Sequence, residues 1–588
     1  MKKIIAVVIS CIMVLNIIQP QIIDTTKQVR AASNGEFAGG TGTANDPYQI
    51  ETAEQLNNVR NYMKSHFVLN RDIDMSNIKN FVPIGTKENP FEGFFNGNNH
   101  TINNLTIKQD DLDAVGLFGN SKDGDFRNIS LDNLLIQVDK KSYDYTSDDL
   151  SSIYVGGIVG CRETYDTYKN KILNCEVKGK ISVVNSHNVY IGGIAGVSGK
   201  VYSCKNYAKI NIVSNKDGRW VNDGDVKCGG IVGHSSAIYG IIENCHNYGD
   251  IKGVSGNQLE IGGISGEQGS ISRCNNYGNI SGRTTQYWSW GSGSNNCNSG
   301  GIVGDTYGDT FYCINYGNVY AKAENGASAA AGGIAGYSGF YGSGRVQYCI
   351  NSGNSIISQR EKKESGKYVN TSGNLGRILG VKSGYATGGI KECYSSDQTL
   401  LNGQIPTDKI DTEQINGQSL SSEELKTKIK NNYADERNAI KLCPENNKIN
   451  VKAKNAKGLY DIEVQFDGKV TAKKGLITIK KQNDVDHSIK SYSVSSKLVE
   501  IKDDVLKIKD VKLPYGQDIS ILFDKNCIEV DGKVFLGFRT ENDWTFRTEE
   551  PDFSDYDKYQ ANYLSQNAES ITAGQMIYSD LEDNYTPT

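Results

Sequence analysis

The sequence predicts an all-β chain: a right-handed parallel β-helix with short helical caps, followed by a smaller β-sandwich. Three observations carry this. A Gly-Gly-Ile motif recurs through the middle of the chain, and a cysteine-bearing motif follows most copies of it. Beyond residue 440 the pattern changes to alternating strands with no repeat. The 64 glycines have no collagen-like period, and only 9 prolines accompany them. Many short Ile/Val runs between turns are the consequence expected of such usage.

The repeats come first because they decide the architecture. VGGIVG ends at Gly160, IGGIAG at Gly196, CGGIVG at Gly233, IGGISG at Gly266, SGGIVG at Gly304 and AGGIAG at Gly336. VGLFG at Val115–Gly119 is an earlier member, and LGRILG at Leu375–Gly380 a degenerate last one. From VGLFG to AGGIAG successive copies stand 32 to 41 residues apart. The second motif carries Cys175, Cys204, Cys245, Cys274, Cys313, Cys349 and Cys393. Each repeat is expected to hold three short strands and to form one coil, paired only with the coils above and below. Glycine then stacks on glycine and cysteine on cysteine. Eight coils would build a rod of roughly 40 Å.

Each column has a physical reason. A glycine pair allows a positive φ at a sharp corner and lets neighbouring coils approach. Asn206, Asn247, Asn276, Asn315 and Asn351, two residues past their cysteines, are placed to form a ladder of amides. Thirteen cysteines in an exported chain admit two readings. They form disulfides, or they stack as small buried thiols. No CxxC and no adjacent His pair suggests a metal site, so no metal or cofactor is expected.

With these columns in view, the chain resembles the GLUG-motif repeat proteins of bacterial surfaces, named for the motif that VGLFG matches. The flanking module strengthens the resemblance. FAGGTGTANDPYQIE (37–51) precedes TAEQLNNVRNYM, in which Thr52 and Gln55 form a capping box, and FVPIG and PFEGFFNGNNHTINNLTI follow. The likeness runs over residues 37–400. It implies a β-helix whose short helix caps an otherwise open strand edge. The family includes the β-helical part of immunoglobulin A1 metallopeptidases, which carry HExxH. Here none of His66, His100, His187, His234, His246 and His487 begins such a motif, so that activity does not carry over.

The remaining segments divide as follows. Residues 1–32 read as a signal peptide, with Lys2 and Lys3 before the apolar run Ile4–Ile18 and small residues at Ala31–Ser33. Val8–Cys11 also matches a lipobox, which would leave a lipid on Cys11. No transmembrane helix is expected in the mature chain. Residues 33–110 form the N-terminal capping module, 111–400 the β-helix, and 401–440 a helical cap and linker around SLSSEELKTKIKNN. Residues 441–548 resemble a bacterial Ig-like β-sandwich, with Trp544 in its core. Residues 549–588 form an acidic, Tyr-rich, flexible tail.

Charge and motifs narrow the function. A net charge of -5 with mixed signs gives no basic patch, so nucleic acid is not an expected partner. Catalysis on a β-helix needs carboxylates gathered on one face across coils. Asp110, Asp111, Asp113, Asp144, Asp148, Asp149, Asp217, Asp223 and Asp225 lie in polar loops and read as solvated. No catalytic motif stands out. Long insertions at 140–154, 215–227 and 283–299 enter at one point of the repeat and should emerge along one edge. They carry Tyr143, Tyr145, Trp220, Tyr287, Trp288 and Trp290. These rings either form a binding ridge or fold back on their own loops. The expectation is a secreted or cell-surface binding protein, monomeric, with carbohydrate or an extracellular protein as ligand. The alternatives are a polysaccharide-active enzyme with a site on the β-helix face, and a structural stalk.

Overall fold

The computed structural model describes residues 35–549 apart from 141–151, 164–170, 186–187, 215–223, 236–239, 268, 286–295, 339–343, 365–366, 383–388, 407–414, 433–438, 447, 449–450, 455–458, 467, 483–487, 525–526, 536 and 539–543. The first part is a parallel β-helix whose coils hold five short strands rather than the three expected, except the first two, where Ser130–Lys140 and Glu176–Asn185 each run through the fourth and fifth positions. One coil consists of Val226–Gly229, Val232–His234, Ile241–Glu243, His246–Asn247 and Ile251–Ser255. The extra breaks have local causes. The Gly229-Gly230 pair bends the chain after the first strand. Asn244, with φ 53°, ends the third strand just before Cys245. The turn after Asn247 separates the fourth strand from the fifth.

First strands stack into an eight-stranded parallel sheet, and second strands into another. Third strands build an eleven-stranded sheet that continues into the N-terminal module through Tyr48–Ile50, His66–Leu69 and Phe94–Asn96. The register is in phase: Gly156, Gly192, Gly229, Gly262, Gly300, Gly332 and Gly376 stack in one column. Eight coils at a spacing of ~4.8 Å give a rod of roughly 35–40 Å.

The glycine pairs do not adopt positive φ, contrary to expectation. They are needed for close approach. A Cβ on Gly229 would lie 2.1 Å from the Val232 carbonyl oxygen, and one on Gly230 2.1 Å from that of Gly263. The left-handed residues stand one place before the cysteines instead. Asn174, Ser203, Asn244, Arg273, Tyr312, Tyr348 and Glu392 have φ between 49° and 57°. Asn, which tolerates this region best among residues with a side chain, fills two of these seven places.

Both predicted ladders form. Asn206 Nδ2 donates to Asn247 Oδ1 at 2.8 Å, Asn247 to Asn276 at 2.8 Å, Asn276 to Asn315 at 2.8 Å and Asn315 to Asn351 at 2.9 Å. These amides are fully buried, and each also bonds its own backbone two residues on, as Asn247 does with Gly249. The backbone N–H of Cys204 donates to Cys245 Sγ at 3.4 Å, and that of Cys245 to Cys274 Sγ at 3.4 Å. All twelve described cysteines are free thiols. One continuous apolar core runs from Phe37 to Cys393, aromatic at its N-terminal end (Phe67, Phe91, Phe95, Phe118, Phe126) and aliphatic beyond.

Both predicted helices are present. Ala53–Asn58 starts at Thr52, whose hydroxyl accepts from the Gln55 N–H at 3.2 Å, while Gln55 Oε1 accepts from the Glu51 N–H at 2.7 Å. Ser422–Asn432 lies against the outer face of the fourth strands, with Leu425 buried in a small cluster with Ile314, Ile350 and Tyr394 that is separate from the main core. No described helix is long and apolar enough to cross a membrane.

Residues 439–547 fold into antiparallel sheets around a second core. Trp544 lies at its centre, fully buried, and its Nε1 donates to the Pro444 carbonyl at 2.9 Å. This unit touches the flank of the rod through buried charge. Arg127 is bidentate to Asp125 at 2.8 Å and reaches Asp518 of the sandwich at 2.8 and 3.1 Å. Lys171 and Arg547 stand 3.7 and 3.6 Å from the same carboxylate. Burial opposes charge at Asp518, but Arg127 and Lys171 hold its carboxyl far below the usual range.

Candidate functional site

The most functional-looking surface lies where the first and second strands of each coil meet. Side chains alternate along a strand, so one residue of each short strand faces outward. On the first strands these stack as Ala114, Tyr154, Tyr190, Lys227, Glu260, Asn298, Ala330 and Asn374. On the second strands they stack as Asn120, Cys161, Val197, His234, Glu267, Asp305, Tyr337 and Val381. The glycine pair turns the two strands so that these columns converge. Lys227 of one column bonds Glu267 of the other. The Tyr190 and His234 rings meet edge-on at 5.7 Å. The result is a crease along the rod axis. It is small or apolar near its ends and ionisable over three central coils.

In the centre, Glu267 is held by Lys227 and by His234, whose Nδ1 is 2.9 Å from its Oε2. Glu260 accepts from the Gln258 amide and stands 4.0 Å from Lys227 Nζ. Asp305 is bonded by Tyr307 and by the Thr306 N–H. Tyr154 and Tyr190 stack at 5.3 Å beyond Lys227, which lies 5.7 Å from the Tyr190 centroid. Lys227 and His234 keep about a fifth to a quarter of their side-chain surface in solvent, whereas Glu260, Glu267 and Asp305 form the floor.

The carboxyls are driven apart electrostatically. Burial, then the charge of Glu267, raises Glu260 well above the usual carboxylate range, and the same causes raise Asp305. Burial alone would raise Glu267 too, but His234 and Lys227 reverse this and keep it ionised. The floor thus sets a carboxyl that resists ionisation beside one that favours it, a contrast found at many functional sites. Among the described residues Glu260 Oε2 and Asp305 Oδ1 have no hydrogen-bond partner although both are buried.

No comparison assigns the crease. No protein-family model matches the chain. A protein of Evansella cellulosilytica, provisionally described as a Gly-rich membrane protein, is 43% identical over 111 residues, which is 18% of this chain and 13% of that one. Halomucin of Haloquadratum walsbyi is 34% identical over 122 residues, again 18% of this chain but 1% of the relative. The chain therefore spans a small part of the length of these relatives. A solved structure from Bacteroides ovatus, provisionally assigned as an immunoglobulin A1 protease, covers 68% of this chain and 91% of its own at 21% identity, with a TM-score of 0.35.

Tyr143, Tyr145, Trp220, Tyr287, Trp288 and Trp290 lie outside the described residues, as do Asp144, Asp148, Asp149, Asp217 and Asp223. The bases of their insertions are described, and they align. Lys140, Ser214 and Thr284 belong to one column of fifth-strand ends, and Ile153, Val226 and Cys297 to one column of first-strand starts. The insertions therefore leave along one edge, and the first strands they lead into form one wall of the crease. A hairpin of Ser355–Glu364 and Lys367–Ser372 leaves the same edge, with Tyr368 48% exposed. The described loop aspartates behave as solvated groups: Asp110 and Asp111 are exposed, and Asp113 pairs with Lys140 at 2.8 Å. Asp225 is the exception, accepting from Asn257 and from the Gln258 N–H beside the crease.

A second surface also went unread in the sequence. Tyr207, Tyr248, Tyr277 and Tyr316 stack in parallel with centroids 4.5, 4.7 and 4.7 Å apart. Each ring covers its neighbours' faces, so the ladder offers edges rather than stacking platforms.

Proposed function

We propose that the chain is a secreted or cell-surface recognition protein whose β-helix binds carbohydrate or an extracellular protein. The observation that carries this reading is the crease. Across three coils it sets Lys227, His234, Glu260, Glu267, Asn298 and Asp305 where the same register holds Ala114, Val197, Ala330 and Val381 in other coils. The fold closes well with small apolar residues at these places, so the ionisable set serves something other than closure. In this reading Trp220, Tyr287, Trp288, Trp290, Tyr143 and Tyr145, carried by insertions whose described ends border the first strands, meet the same ligand. An Ig-like reading of the sandwich makes it a spacer or docking module. The test is a glycan and extracellular-matrix array probed with residues 33–588. Saturable binding that weakens at least tenfold in Lys227→Ala or Trp288→Ala/Trp290→Ala supports recognition, and no binding to any class opposes it.

A polysaccharide-active enzyme is the second reading. It is favoured by the opposed protonation of Glu260 and Glu267, since hydrolysis of a glycosidic bond needs one acid and one base. New reducing ends from a bound polymer, lost in Glu267→Gln, would replace the first reading with this one.

A further inference from the structure

We propose that the crease binds an uncharged, linear polysaccharide lying along the rod axis, with Glu260 and Asp305 bonding its hydroxyl groups and Tyr190 and Tyr337 flanking it. This rests on the recognition reading above and narrows it to one ligand class and one site.

Three features select the ligand. The first is shape. The outward columns from Tyr190 to Tyr337 cross five coils, a track of ~19 Å at the usual strand spacing. A straight track suits an extended polymer better than a compact solute. The second is charge. Lys227 answers Glu267, and burial beside Glu267 disfavours a charge on Glu260 and Asp305, so the floor offers neither a cationic patch for an anionic polymer nor an array of free carboxylates for a polycation. The third is hydrogen bonding. Glu260 Oε2 and Asp305 Oδ1 are buried without partners among the described residues, and the two residues are 2% and 3% exposed. A protonated carboxyl both donates and accepts, as does a sugar hydroxyl, so hydroxyls complete both groups without importing charge. Tyr190, and Tyr337 three coils beyond His234, give apolar surface at either end, the usual complement to a few fixed polar groups in a sugar site.

The experiment is affinity electrophoresis of residues 33–588 through gels containing xylan, mixed-linkage β-glucan or mannan, beside polygalacturonate and a lysine-rich peptide measured by titration. Retardation by at least one neutral polymer, with none by polygalacturonate and no peptide binding, is expected. Asp305→Ala and Glu260→Ala should weaken retention tenfold or more, and Glu260→Gln, which keeps a donor and an acceptor, should retain most of it. Should the floor variants unfold, Tyr190→Ala and Tyr337→Ala change only the partly exposed flanks and should still weaken retention. Retention untouched by all crease variants but lost in Trp288→Ala/Trp290→Ala overturns the crease site and leaves recognition at the ridge. Binding to an extracellular protein without any neutral polymer overturns the ligand class and leaves the recognition reading intact. Preference for polygalacturonate or the peptide overturns the charge argument.

Discussion

Gly230 and Asn247 occupy one space: a Cβ on the glycine would lie 2.3 Å from the asparagine Cγ. The same pairing recurs as Gly193 with Asn206, Gly263 with Asn276, Gly301 with Asn315 and Gly333 with Asn351. In the last described coil the asparagine column ends in Ser395, and there the glycine position holds Arg377. The amide ladder and the carbonyl of the next coil together exclude a side chain at the bend; at the N-terminal end of the column Gly157 faces Val177 instead of an amide, and a Cβ there would still lie 2.5 Å from the Gly193 carbonyl oxygen.

Gly230→Ala should consequently destabilise the rod. The added methyl meets both the Asn247 amide and the Gly263 carbonyl, and overpacking of this kind costs about 1–3 kcal/mol. Asn247→Ala should cost a similar amount by leaving Asn206 Nδ2 and Asn276 Oδ1 without their inter-coil partner. Urea unfolding followed by far-UV circular dichroism reads both. Equal midpoints for wild type and Gly230→Ala would refute the steric pairing.

The stacked cysteines should be inert in the folded chain. Burial raises Cys175, Cys204, Cys274, Cys349 and Cys393 well above the usual thiol range, and at Cys245 and Cys313 hydrogen bonds from the neighbouring thiols override it and lower them, so it is the enclosure of the whole column that keeps reagent out. Thiolate is the reactive form, so a thiol reagent at pH 8 should label the exposed Cys443 quickly. The buried positions should react only after denaturant is added. Rapid labelling of Cys204, Cys245 or Cys274 in the native chain would contradict the ladder.

Arg127→Ala should release the sandwich from the rod. It leaves the Asp518 carboxylate buried with only Lys171 and Arg547 nearby, a loss of about 3–5 kcal/mol for a buried pair. Calorimetry should then resolve separate melting of the two units where wild type melts with them coupled. Burial limits screening, so 0.5 M salt should not mimic the variant. The contact also has a pH sign. Asp518 is depressed in the folded state, so its contribution is full above the unfolded carboxylate pKa and fades as pH falls towards the folded value.

Glu260→Gln should raise stability at neutral pH and leave it unchanged near pH 4. The folded pKa of Glu260 is raised, so the folded chain holds a proton that the unfolded chain releases once pH passes the ordinary glutamate range. Wild-type stability therefore declines as pH rises through that window, and the amide removes the decline. Melting temperatures of both forms from pH 4 to pH 8 test this. Parallel curves would contradict a protonated Glu260.

The architecture was legible because columns of identical residues survive any error in strand boundaries. The Gly-Gly-Ile spacing placed the bends, and the Cys-x-Asn spacing placed the amide ladder. Three strands were expected where five exist because a two-residue strand such as His246–Asn247 has no period of its own. The crease is hidden for the opposite reason: its columns share no residue type from one central coil to the next. Its signal was present. The residue after each glycine motif runs Cys161, Val197, His234, Glu267, Asp305, Tyr337, and the residue two before each glycine pair runs Tyr154, Tyr190, Lys227, Glu260, Asn298. These places vary while their neighbours do not, and they cluster only when the coils are stacked. Nothing in the sequence reveals that the bend turns the two columns towards each other.

The most direct test of the crease as the binding surface is hydrogen–deuterium exchange of residues 33–588 with and without the neutral polymer that retains it most strongly. Coupled recognition at the crease predicts added protection confined to the strands Val226–His234, Leu259–Glu267 and Cys297–Thr306 and the turns between them. Protection confined to 141–151, 215–223 and 286–295, with the crease strands unchanged, would contradict it.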